Sequence, residues 1–313
     1  MRNSLLAIAA FASLLTGCNQ NKRKVIGVIP KATSHLFWVA VERGAKQAGK
    51  EFNVEIEYNG GQSETDYSRQ IQILDSMVAR RVDGIAVAAT ESKALMGPID
   101  RAMKAGIPTT VFDSGIEGDS FLSFVATNNF EGGQLAAREL ARLTGGKGNV
   151  GLLMNAPGSN STMDRERGFE EVLAKEFPAL KIVARQYGMS DRAKSRSAAE
   201  NMLTAHADLV GIFASAEPAS VGASLAIKAR NLSGKVKLVA FDSSETMVED
   251  LKGGVIQAMV VQDPRKMGYE AVRTVVDKLA GKNVPKRIDL SAQVIRLEDL
   301  GKPEIQALLT PEK

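Results

Sequence analysis

Short apolar runs recur along the chain, each followed by a polar loop and then by a segment whose apolar residues return every three or four positions. The first such unit, Lys24 to Ala48, shows the pattern in full. Val25 to Ile29 is apolar and rich in β-branched residues, as a buried parallel strand requires, and Pro30 ends it. Phe37, Val41, Gly44, Ala45 and Ala48 then recur at helical spacing, so one face of the next segment packs on a sheet. The same reading predicts strands at Val54 to Tyr58, Gly84 to Ala88, Pro108 to Phe112, Leu122 to Ala126, Val150 to Met154, Ile182 to Gln186, Leu209 to Phe213, Val236 to Phe241 and Val255 to Val261. Helices are predicted between most of them, for instance at Thr65 to Arg80, Ala94 to Ala105, Phe130 to Leu143, Asp191 to Ala205 and Pro264 to Ala280. Strict alternation of strand and helix implies parallel sheets covered on both faces. So many strands over 313 residues suit two α/β, Rossmann-like lobes better than one. Ligands of open α/β sheets bind beyond the carboxyl ends of the strands, which places Lys31, His35, Phe37 and Trp38 where a ligand would lie.

The chain before Lys24 changes the picture of where this body works. Arg2 precedes a run from Leu5 to Leu15 that is apolar except for Ser13, and the run ends in Leu15, Thr16, Gly17 and Cys18. A positive start, an apolar stretch too short to span a bilayer stably and small residues at its end have the form of a secretory signal. Its last four residues resemble the lipobox of bacterial lipoproteins. That resemblance implies a signal over 1–17, lipidation of Cys18, a polar tether over 18–23 and attachment of the protein to a membrane of the cell envelope. Cys18 is the only cysteine, so no disulfide forms within the chain. With 44% apolar and 24% charged residues over its 313 positions, the chain has an ordinary globular composition. Its net charge of +4 comes from basic and acidic residues mixed throughout, with no basic run that would mark a nucleic-acid partner.

Candidate chemistry points to binding. Gly146, Gly148 and Gly151 match the letters of a dinucleotide fingerprint, but they precede a strand instead of following one. His35 and His206 are the only histidines, too few for a His/Cys metal site, and no Ser-His-Asp or Cys-His spacing occurs. No catalytic residue, metal or cofactor is assigned. An internal echo is more telling: Val111, Phe112, Asp113, Ser114 ends one predicted strand and Ala240, Phe241, Asp242, Ser243 ends another, about 130 residues later. Two similar lobes would each present an Asp to a shared cleft. Asp113, Asp242, Arg165, Arg167, Gln262, Phe37 and Trp38 together supply carboxylates for paired hydroxyls, guanidinium donors and aromatic faces for C–H surfaces, which is the inventory of sugar recognition.

These residues resemble the type I periplasmic binding proteins, in the ribose-binding branch that shares its fold with lac-repressor-like effector domains. The resemblance rests on HLFW at His35 to Trp38, GIPTTVFDS at Gly106 to Ser114, NNFEGG at Asn128 to Gly133, DRERGFEEVL at Asp164 to Leu173, KLVAFDSS at Lys237 to Ser244 and VVQDPRKMG at Val260 to Gly268. It implies that Phe37 and Trp38 are sugar-stacking rings, that Asp113 holds hydroxyls, that Arg167 donates from the second lobe, and that Asp242 and Gln262 complete the contacts near a hinge. The chain departs from the branch at Ser114, where an Arg is usual, and at His35, Ala88 and Ala216, where Asn is usual. The second-lobe ring falls at Ser190 or is replaced by Tyr187. Each polar group left unpaired in a closed cleft costs ~1–3 kcal/mol, so ribose itself is not the expected ligand. Ile29, Pro30, Lys31 is similar to the opening of the branch that binds autoinducer-2 or related polyols, which implies that Lys31 and Asp164 face the ligand.

The resemblance further implies interleaved lobes, 24–127 with 263–291 and 128–262 with 292–300, followed by a tail over 301–313. The expected function is a monomeric, lipid-anchored binder that closes on a small sugar or polyol and delivers it to an ABC permease. A ligand-sensing receptor is the alternative. An extracytoplasmic sugar enzyme is a remote one, because a glycosidase needs two carboxylates across one bond and no acid-tuning constellation is visible.

Overall fold

The computed structural model describes residues 23–309, so the apolar leader, Cys18 and most of the tether lie outside the described residues. From Val25 the chain lays down β1 (Val25–Ile29), α1 (Leu36–Glu51), β2 (Glu55–Tyr58), α2 (Tyr67–Ala79), β3 (Gly84–Val87), α3 (Met96–Lys104), β4 (Thr109–Phe112) and β5 (Phe124–Thr127). It then builds α4 (Asn129–Thr144), β6 (Gly148–Met154), α5 (Asn160–Glu176), β7 (Leu180–Tyr187), α6 (Arg192–Ala205), β8 (Leu209–Ala214), α7 (Glu217–Ala229), β9 (Lys237–Phe241), α8 (Glu245–Lys252) and β10 (Ala258–Val261). Next come α9 (Pro264–Leu279), β11 (Arg287–Leu290), β12 (Gln293–Ile295) and α10 (Pro303–Leu309).

The strands form two six-stranded sheets, in the orders β11-β5-β4-β3-β1-β2 and β12-β10-β9-β8-β6-β7. All pairings are parallel except β10 with β12. This is the two-lobed α/β architecture that the alternation of strands and helices predicts. Burial follows position in the sheet: β3, β4 and β10 are buried at every residue, whereas the edge strand β2, with Glu55 and Glu57 alternating with Ile56 and Tyr58, is not. The chain passes between the sheets after β5, after β10 and between β11 and β12, so these connections join the lobes.

Three features were not legible in the pattern. β11 and β12 are short edge strands, and Arg287 and Asp289 on β11 are paired at 2.7 Å at its surface, so neither strand has an apolar run to announce it. The strand predicted from Val255 begins at Ala258, because Gly254 turns with a φ of 71° and the Val255 and Ile256 amides return to the carbonyl of Asp250. The stretch assigned to a tail contains α10, whose Ile305 and Leu309 are buried against the second-lobe core.

The first lobe packs α1 on α9 and the second packs α4 on α5 at backbone distance. A Cβ at Gly133 of α4 would stand 1.9 Å from the Arg165 carbonyl oxygen, and one at Gly168 of α5 would stand 2.1 Å from that of Phe130. This reciprocal close approach fixes where α5 presents Arg165.

Candidate functional site: the cleft between the lobes

The carboxyl ends of both sheets face one cleft. Lys31, His35, Phe37, Trp38, Glu64 and Asp113 line it from the first lobe, and Asn155, Ser161, Thr162, Arg165, Ala216, Glu217, Pro218, Asp242 and Gln262 from the second. The cavity volume is about 30 Å³, well below that of an open small-molecule site, so the two walls stand close together. The echoed aspartates end β4 and β9 with left-handed backbones, φ 57° at Asp113 and 71° at Asp242. Non-glycine residues are strained there, and strain of this kind collects at binding sites, where it aims a side chain off the end of its strand.

Asp242 is held from two sides. Gln262 Nε2 donates to one carboxylate oxygen at 2.6 Å and the Glu217 amide to the other at 3.0 Å. Arg165 lies 3.9 Å away. That guanidinium donates to Asn129 Oδ1 at 2.8 Å and to the Ser215 carbonyl at 2.9 Å, with its centre 3.8 Å from the Phe241 ring, so it is fixed before any ligand arrives. Asp113 is buried, which pushes its carboxyl up from the usual range against the opposing charges of Lys31 and Arg165.

Glu64 organises the first-lobe wall. It accepts from Trp38 Nε1 at 2.8 Å, stands 3.3 Å from His35 Nδ1, and accepts from Asn155 Nδ2 of the opposite lobe at 3.5 Å. Burial alone would raise its pKa, but the His35 hydrogen bond and the Lys31 charge outweigh burial and hold it at about 2. His35 responds in kind: burial would lower it, yet the hydrogen bond and charge of Glu64, with the charge of Glu217, raise it above its ordinary value. Glu217 pairs with Arg192, and burial is the main cause of its raised pKa. The Trp38 ring is 2% exposed and packs edge-to-face on Phe37 and Phe112, so it belongs to the first-lobe core as much as to the cleft.

Five buried side-chain oxygens find no partner among the described residues, those of Thr127, Asn155, Ser190, Ser195 and Gln262, and two of them are amide carbonyls, Asn155 Oδ1 and Gln262 Oε1. Both of these amide residues line the cleft, and both atoms are acceptors. Buried acceptors without donors are rare and costly, so they mark places where a ligand's O–H or N–H completes the structure. Among the described residues no group of His, Cys, Asp and Glu could hold a metal ion, and no helix is long and apolar enough to cross a membrane.

Of the residues singled out from sequence, Lys31, His35, Phe37, Trp38, Asp113, Ala216, Asp242 and Gln262 meet in the cleft. Ser114 lies just behind it, fully buried. Arg167, Asp164 and Tyr187 are not among its lining residues. Arg167 is 69% exposed, pairs with Asp164 at 3.0 Å and lies over Phe130. Two residues along a helix turn the side chain through about 200°, so Arg165, not Arg167, faces the ligand space. Tyr187 ends the edge strand β7 and is 42% exposed. Sequence reading missed Glu64, Asn155 and Glu217. Asn155 directly follows β6 and Glu217 opens the helix after β8, so the strand-end rule that found Asp113 and Asp242 would have found both. Glu64 sits in an irregular loop and left no such signal.

A model of the periplasmic binding protein domain matches residues 26–283. The chain is 28% identical over 270 residues to the ribose import binding protein RbsB of Bacillus subtilis, covering 86% of each. A carbohydrate transporter solute binding protein of Agrobacterium radiobacter, solved in complex with D-arabinose, superposes with a TM-score of 0.89 at 35% identity over 92% of this chain and 99% of the other. A solute binding protein of an Agrobacterium vitis ABC transporter, bound to α-D-tagatopyranose, superposes at 0.88 with 30% identity over 92% and 99%. Sheet order, cleft and relatives agree: the chain belongs to the type I periplasmic binding proteins, in the ribose-binding branch.

Proposed function

We propose that this protein is the solute-binding component of an ABC importer and captures a small, neutral, polyhydroxylated ligand, a monosaccharide or polyol, by closing its lobes on it. The observation that carries the reading is the imbalance of the cleft. It leaves the oxygens of Asn155 and Gln262 without a donor, beside the carboxylates of Glu64, Asp113, Glu217 and Asp242 that the protein's own donors hold, while two of the five Arg165 N–H groups are engaged by Asn129 and the Ser215 carbonyl. Such a wall suits a neutral ligand whose hydroxyls donate to these oxygens and accept from the remaining Arg165 N–H groups. The D-arabinose and α-D-tagatopyranose bound by similar proteins have this chemistry.

The family works outside the cytoplasm. Within that setting we place a lipid anchor at Cys18, lobes over 24–127 with 263–291 and 128–262 with 292–309, the latter taking in α10, and a monomer that meets its permease when closed. Import binding proteins among the relatives favour transport over a sensing receptor. Thermal-shift screening against pentoses, hexoses, deoxy sugars, alditols, inositols and autoinducer-2 tests the reading, since a ligand at a hundred times its Kd stabilises by ~2.7 kcal/mol. At least one neutral polyol should raise Tm by several degrees. A response confined to anionic solutes would overturn the proposal.

A further inference from the structure

Lys31 stands where a ligand contact is expected, yet its ammonium is fully engaged within the protein. Nζ lies 3.2 Å from Asp113 Oδ2 and donates to Ser159 Oγ and Ser161 Oγ, at 3.0 Å each. An ammonium has three protons, and these three partners account for them. The residue is 3% exposed. Lys31 and Asp113 follow strands of the first sheet, whereas Ser159 and Ser161 open α5 on the second, so two of the three contacts exist only while the cleft is shut.

A second contact repeats the arrangement. Ser159 is the N-cap of α5 but makes no side-chain cap bond; its hydroxyl faces Lys31 instead. The open amide of Ser161 is capped from the other lobe, by Ser114 Oγ at 3.2 Å. The Ser92 amide also reaches the Gly158 carbonyl at 3.0 Å, just before the helix. Opening the lobes would exchange the two serine acceptors of Lys31 and the cap of the Ser161 amide for water.

We propose that Lys31 and Ser114 form a cross-lobe clasp on the first turn of α5 that holds the cleft shut without ligand, and that both set the closed population instead of contacting the solute. The clasp rests on the binding reading only in that closure completes the site. It gives the apparent affinity a conformational factor, because a ligand that binds the closed state gains in proportion to the fraction already closed.

The test needs no ligand, so it stands apart from the identity of the solute. A Cβ at Gly115 of the first lobe would lie 3.0 Å from Asn160 Oδ1 of the second, which makes Gly115→Cys with Asn160→Cys a reporter of closure. The pair is introduced into a chain carrying Cys18→Ser, and oxidised glutathione serves as the oxidant. Lobe motion on the μs–ms scale is faster than disulfide exchange, so the cross-linking rate tracks the closed fraction. Lys31→Met should slow cross-linking by about tenfold or more, as expected for loss of charge-assisted hydrogen bonds. Ser159→Ala with Ser161→Ala should slow it similarly while leaving the Lys31–Asp113 pair in place, which covers the case that Lys31→Met folds poorly. Ser114→Ala should slow it several-fold. Equal rates in the reference and the double-serine variant overturn the clasp, as does a reference protein that fails to cross-link without ligand.

Discussion

Asp242 concentrates what one residue contributes to the cleft. It is 8% exposed, its backbone is strained at φ 71°, and it holds Gln262 and the Glu217 amide while facing the ligand space. Replacing it by Ala would remove charge-assisted bonds to ligand hydroxyls and unpair two protein donors at once. Calorimetry with the solute found by screening should show a loss of ~2–4 kcal/mol in binding. Asp208, whose exposed carboxylate accepts from Asn149 at the surface, should be replaceable by Ala with no resolvable change. Equal effects at both positions would place Asp242 outside the site. The sequence made Asp242 and Asp113 legible because each ends an apolar strand. The resemblance gave the second-lobe donor role to Arg167, whereas Arg165 lines the cleft, since helical phase depends on which face α5 buries against α4.

That packing is the element-scale determinant of the site. Gly133 and Gly168 let α4 and α5 touch through their backbones, and Arg165 supplies the carbonyl oxygen that a Cβ at Gly133 would strike. Gly133→Ala should therefore push the helices apart, cost ~1–3 kcal/mol or more in thermal unfolding, and weaken binding as Arg165 moves. Gly97, also helical, has only the flexible end of Arg101 near the space a Cβ would occupy. Ala there should stabilise by up to ~1 kcal/mol, because it removes only the entropic penalty of glycine. If both variants melt alike, the close approach does not constrain the lobe. Interior strands and long helices were legible because burial imposes a period on their residues. β11, β12 and α10 were not, because they are short and gain their stability from the elements they join.

At the scale of the molecule, buried titratable groups set the response to pH. Burial in α5 pushes Glu166 up to about 7, against the hydrogen bonds of Ser215 and the Asn155 amide, and His35 is raised as well. A raised folded pKa gives stability that is complete below the unfolded pKa and lost as pH climbs through the folded one. Asp113 and Glu217, also raised, act in the same direction from lower pH. Glu64 and Glu139 oppose this, each held at about 2 despite burial, Glu139 by Arg142 and Arg296; their contribution is present above the unfolded pKa and lost in acid. Melting temperature should peak between about pH 4.5 and 6 and fall toward pH 8. Glu166→Gln should raise stability at pH 8 by roughly 2–4 kcal/mol and match the parent near pH 4.5. A flat profile from pH 5 to 8, or no gain at pH 8, would refute this assignment.

The sequence alone determined the α/β class, the two lobes, the strand-end carboxylates and the family. Each is written in local periodicity or in short motifs that occupy consecutive positions. Tertiary structure decided the rest, because a cleft between lobes brings together residues with no fixed spacing. It paired Glu64 with Asn155 across the gap, selected Arg165 over Arg167, and left two carbonyl oxygens unpartnered for a ligand. It also turned Lys31 from an expected ligand donor into a residue with its three protons engaged by Asp113, Ser159 and Ser161. A side chain's role depends on which partners surround it when the lobes meet, and that is set by packing between segments more than a hundred residues apart.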